Sequence, residues 1–93
     1  MIMTRTKLIG DEVALGVNQA AGLTVSNATV VRVHNGAGTT ATVSVAKSTS
    51  TGYADTSTVS VPNDAVEFFE KSGADLMWAS ATTVRAAKVG FTA

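Results

Sequence analysis

Cysteine is absent from these 93 residues, and proline, histidine, tryptophan and tyrosine occur once each. No disulfide can staple the fold, and no thiolate metal site can form. Charge is scarce too, with seven Lys and Arg balanced by seven Asp and Glu. Binding to nucleic acid depends on neutralising phosphates, and a neutral chain has little to offer there. A polybasic patch for membrane surfaces is missing for the same reason. No apolar run approaches the roughly eighteen residues of a membrane span. Neither nucleic acid nor membrane is therefore expected as a partner. The first ten residues, Met-Ile-Met-Thr-Arg-Thr-Lys-Leu-Ile-Gly, lack the long apolar core of a secretion signal. The expected setting is a cytoplasm, or something larger that is assembled in one.

What the chain does have is small apolar side chains and many β-formers. Hydrophobic residues are 45% of the sequence, which suits a folded globule rather than a disordered chain. Most of them are Ala and Val, so each buries little area, at roughly 25 cal/mol per Å² of apolar surface. A single domain of this length with so slight a core invites help from neighbours, and a homo-oligomer or docking on a larger partner is expected.

Ala28–Lys47 carries the strongest local pattern. Two runs rich in Val and Thr flank Asn35-Gly36-Ala37-Gly38, whose glycines tolerate the positive φ of a tight reversal. Val31 and Val33 alternate with Arg32 and His34, and Ala41, Val43 and Val45 alternate with Thr42 and Ser44. Period-two alternation predicts strands with one dry and one wet face, here paired as a β-hairpin.

The rest of the chain continues in the same style. Residues 1–9 read as an extended arm or edge strand whose charges discourage stray pairing. Residues 10–93 read as the sandwich domain. Glu12–Val17 and Leu23–Val25 are further strand candidates, and the polar stretch Ser48–Asp55 reads as a long exposed loop. Thr56–Val61 resumes alternation, with Val59 and Val61 inward, before the turn Pro62-Asn63-Asp64. In Ala65–Lys71, Asp64 with Glu67 could cap a short helix, but Val-x-Phe alternation favours a strand. Ala74–Ser80 reads as a short turn of helix or 3₁₀, and Thr83–Thr92 as a closing strand with Ala87, Val89 and Phe91 inward. About seven short strands with regular turns and no long helix predict a small all-β domain, a β-sandwich or Greek-key-like barrel.

Chemistry is hard to find. His34 is placed on a wet strand face without a nucleophile and an orienting acid around it. No serine lies in Gly-x-Ser-x-Gly. Asp11 and Glu12 point to opposite faces of a strand, and Asp64 with Glu67 is explained by a turn. The glycine-rich connection lacks the Gly-Lys-Ser/Thr and helix of a phosphate loop. The Asn27-Ala28-Thr29 sequon is a chance match without secretion. The expectation is a non-enzymatic protein with no cofactor, no metal and no catalytic residue.

Two apolar residues are left over. Of Phe68 and Phe69 one ring must leave the core side, and Phe69 is taken as that ring. Val84 falls opposite to Ala87, Val89 and Phe91, unless a bulge turns it inward or the core is two-sided. An uncovered aromatic beside other apolar positions suggests a protein contact. With Ile2, Arg5 and Leu8 of the arm, which could add a strand to a neighbour, Phe69 and Val84 are the candidate partner-binding residues.

The second half of the chain resembles a family of proteins. A Val/Thr-rich hairpin is followed by Thr-Val-Ser-Val-Pro-Asn-Asp and Ala-Val-Glu-Phe-Phe-Glu-Lys-Ser. After these come Asp-Leu-Met-Trp-Ala-Ser and a final Lys-Val-Gly-Phe-Thr. Over roughly residues 28–92 this is similar to small all-β structural virion proteins of tailed bacteriophages. The resemblance implies a component of a particle, present in many copies and without catalytic residues. The expected function is capsid decoration or cement, touching the major capsid protein or other virion proteins. A neck, tail or fibre component is the alternative. A carbohydrate- or host-surface-binding module is the rival from another class, and it would want more exposed aromatics than one Trp and one Tyr.

Overall fold

A computed structural model describes residues 5–8, 10 and 12–92, with backbone alone at 5–8, 91 and 92. Among these are eight strands. They are β1 (Arg5–Leu8), β2 (Val13–Ala14), β3 (Val30–Asn35), β4 (Ala41–Thr49), β5 (Gly52–Val61), β6 (Val66–Glu70), β7 (Leu76–Ala79) and β8 (Val84–Thr92). One sheet runs β1-β8-β3-β6 with β2 also on β8, and the other runs β5-β4-β7. Leu8 stands opposite Val89 and Val13 opposite Ala86, so β1 and β2 are successive halves of one interrupted edge strand. The expected all-β sandwich of about seven strands is the fold.

The pairings nest. β2 pairs with β8, Leu23 bridges Met77 of β7, β3 pairs with β6 and β4 with β5. A long hairpin with its arms rolled up produces this order, which is that of a jelly roll. The strand it would hold between β2 and β3 is reduced to the Leu23–Met77 bridge. There Leu23 N donates to the Met77 carbonyl at 2.9 Å, and Met77 N to that of Leu23 at 2.8 Å.

Register decides what faces inward. Val33 pairs with Ala86 and Asn35 with Val84, while across the core Val43 pairs with Ala79 and Val45 with Met77. Leu15, Val31, Val33, Val43, Val61, Met77 and Val84 are fully buried in one cluster. Burying side chains of this size stabilises by about 1.5–3 kcal/mol each.

Several expectations are corrected by this arrangement. β3 and β4 do not pair: each lies in a different sheet, and residues 36–40 make a corner between them. Alternation fixes the faces of a strand but not its neighbour. Only Gly38 in that corner has a positive φ, 86°, while Asn35 is buried. The polar stretch at Ser48–Asp55 is no loop but a tight hairpin, with Thr49 opposite Gly52. It is polar because both faces of β5 are wet. Leu76–Ala79 is strand β7, not helix. On β8 the inward residues are Val84 and Ala86, and Ala87 and Val89 are buried on the opposite face. There Arg32, opposite Ala87, forms an ion pair with Glu12 at 3.3 Å. The Phe91 side chain lies outside the described residues. Val59, expected in the core, is 46% exposed.

Candidate functional site

β5 presents a surface that its sequence leaves open. From Gly52 to Ser60 every residue is exposed, and only Val61 is buried. β4 covers one edge of this strand, with Val43 opposite Val59 and Val45 opposite Ser57. Lys47 pairs with Ala54, so Asp55 and Thr56 together oppose Ala46 in a β-bulge. Asp55 takes φ 51° there, a conformation that Asp tolerates better than most residues.

Between β5 and β6 the sandwich opens into a cleft of about 480 Å³. Val45, Val59 and Phe69 give it apolar walls, and Lys47, Asp55, Glu70, Lys71 and Asp75 supply charge. Two of these charged groups are engaged in the scaffold. The Asp75 carboxylate accepts from Ser48 N at 2.9 Å and from Ser72 N at 3.1 Å, which ties the β6–β7 connection to β4. Lys71 Nζ donates to the carbonyls of Ser72 at 3.3 Å and Gly73 at 3.2 Å. Burial pushes the Lys71 ammonium below its ordinary pKa, and the charge of Asp75 pulls partly the other way. The cleft thus offers an apolar trough beside a strand edge, and its best-held charges are already bonded.

Among the described residues no three His, Asp or Glu side chains are grouped to hold a metal ion. His34 is half-buried on the outer face of its sheet, between Val66 and Arg85 on neighbouring strands, and no described hydrogen bond reaches its ring.

The candidate partner-binding residues are not brought together. Ile2 lies outside the described residues. Arg5 and Leu8 pair through their backbone with Thr92 and Val89 of the chain's own β8, and their side chains lie outside the described residues. Val84 is 0% exposed, so it cannot serve as a contact on the folded protein. Phe69 pairs with Val31 on the inner face and packs half-buried against the core. Phe68 is the outward ring, 49% exposed. The Phe-Phe dipeptide demanded one ring outside, but only the register with β3 decides which. The surface missed altogether is β5. Its ten residues from Gly52 to Val61 hold a single charge, and this was the available signal. Comparison with known proteins finds no matching family model, no matching curated protein and no matching solved structure.

Proposed function

We propose that this chain is a non-enzymatic structural protein of a tailed-phage virion, a decoration or cement component that acts by contact with neighbouring subunits. The observation that carries the reading is β5, a long strand exposed on both faces beside an apolar cleft. Exposed sheet edges bind other strands through the backbone, with alternate side chains entering pockets. A rigid sandwich with one such edge suits additive contacts repeated over many copies. The pattern of residues 28–92, similar to phage virion proteins, supplies the setting. Electron microscopy of particles, with and without this chain, tests the reading. Density for the sandwich over the shell, and rebinding of purified protein to particles that lack it, are expected. Density at the neck or tail would move it to the alternative component. Failure to associate with any particle would overturn it.

A glycan-binding module is the second reading, and its support is narrower. Tyr53, 42% exposed, lines a shallow hollow with Gln19 and Leu76. Trp78 belongs to the same outer face but is half-buried. Binding to a glycan array that is lost in Tyr53→Ala would favour it.

A further inference from the structure

We infer that β5 joins two copies of this chain edge to edge and antiparallel, as a twofold dimer whose three-stranded sheets merge into one of six strands. Natural sheet edges are guarded by charge, proline or cover. β6 carries Glu67 and Glu70, which would set like charges near one another on its own copy. The free side of β7 is occupied by Leu23 and by Gly16, whose carbonyl accepts from Ala79 N at 2.9 Å. Among the edges whose side chains are described, β5 is the least guarded: its one charge, Asp55, and its bulge lie towards one end, and from Thr56 to Val61 it contains no charge and no proline.

The strand is also complementary to itself. With Val59 opposite Val59 of the second copy, Thr58 meets Ser60 and Ser57 meets Val61. Val59 then lies beside Val59 on the inner face, with a Ser57–Val61 pair to either side, and hydroxyl beside hydroxyl on the outer one; the valine and hydroxyl pairs are of the kind that stabilises sheets. In this register Asp55 falls opposite Asn63, clear of its own copy. Each Val59, 46% exposed in one chain, is covered by the other. The two clefts walled by Val45, Val59 and Phe69 meet across the twofold axis. Because so short a pairing buries less than the ~1,600 Å² of a standard interface, the dimer is expected to dissociate on the order of micromolar concentration.

The pairing uses the edge proposed above for assembly but needs no particle. A dimer that binds no virion defeats the virion reading alone, and a monomer that binds virions defeats this one alone. The test is sedimentation equilibrium of the purified chain from low to high micromolar concentration, with a melt of each variant at the lowest. A monomer–dimer equilibrium is expected, abolished in Thr58→Lys with an unchanged melt. Because the chain has no cysteine, Val59→Cys provides a second readout. Opposed strand residues lie within disulfide reach, so it should form a cross-linked dimer on oxidation, while Val66→Cys on β6 should not. A monomer at every concentration, a dimer that survives Thr58→Lys, or equal cross-linking at both cysteines would overturn the proposal.

Discussion

The side-chain amide of Asn35 donates to the Val61 carbonyl at 2.8 Å, tying the end of β3 to the end of β5 across the gap between the sheets. The same Nδ2 donates to the Thr39 carbonyl at 2.8 Å, and Oδ1 accepts from Ala37 N at 2.9 Å. On the backbone, Asp64 N donates to the Asn35 carbonyl at 2.9 Å and Asn35 N donates to that of Ala65 at 3.1 Å. One buried residue thus holds both the 36–40 corner and the Pro62 corner, and brings β5 alongside β4 at its only buried end.

Asn35→Ala should therefore cost about 2 kcal/mol or more, since it strands the buried Val61 carbonyl and removes the part-buried bonds at Thr39 and Ala37. In urea denaturation the midpoint should fall with little change in slope. A loss under about 1 kcal/mol would mean that the backbone bonds alone hold the corners.

Val43 and Val59 are cross-strand partners with opposite fates. Val43 is 0% exposed, and Val43→Asp should prevent folding because an unpaired buried carboxylate costs several kcal/mol. Val59→Asp places its charge at the open cleft and should cost under about 1 kcal/mol at low concentration. Circular dichroism and a thermal melt separate the two. Equal loss in both would mean that the edge is covered within one chain.

Much of the fold was legible because alternation reports strands and faces directly. Val31, Val33, Ala41, Val43 and Val61 follow from it. Pairing was not legible. Asn35-Gly36 reads as a hairpin turn, and the Asn35 side chain does bond locally to Ala37 and Thr39, yet its buried partner is Val61, 26 residues away. Long-range partners of this kind leave no local trace. Parity failed on β8 for a related reason: Ala86, Ala87 and Val89 are all buried, so hydrophobicity there does not name the inner face. Half of the open edge was hidden by composition: Thr56–Val61 alternates, but at Gly52–Asp55 a strand wet on both faces is as polar as a loop.

The 25–27 segment tests strain. Val25, Ser26 and Asn27 take φ of 53°, 55° and 56° in succession, and Val25 is buried in the core. Left-handed backbone costs a residue other than glycine about 1–2 kcal/mol, less for Asn. Ser26 is exposed, and Lys88 Nζ reaches only its carbonyl, at 3.3 Å, which glycine would keep. Ser26→Gly should stabilise by about 0.5–1 kcal/mol after the added freedom of the unfolded chain. A rise in Tm of about 2–8 °C is the expected reading. Ser26→Val, which is β-branched, should lower it.

Lys71 gives a dependence on pH. Its pKa in the folded protein lies below the ordinary 10.5, chiefly through burial and against the pull of Asp75. Between the lowered value and 10.5 the unfolded chain binds more protons than the folded one, so the stability contributed by this group rises with pH there. Below the lowered value the penalty of burying the ammonium is present in full. Lys71→Met keeps most of the side chain's length and has no charge to bury. Melting temperatures of the two proteins over about pH 8 to 11 should converge from a lower wild-type value, or cross, with the wild type gaining as its lysine discharges. Every other group is common to both proteins, so the difference isolates Lys71. A difference that stays constant with pH would show that the bonds to the Ser72 and Gly73 carbonyls hold the ammonium at its ordinary value and offset the burial.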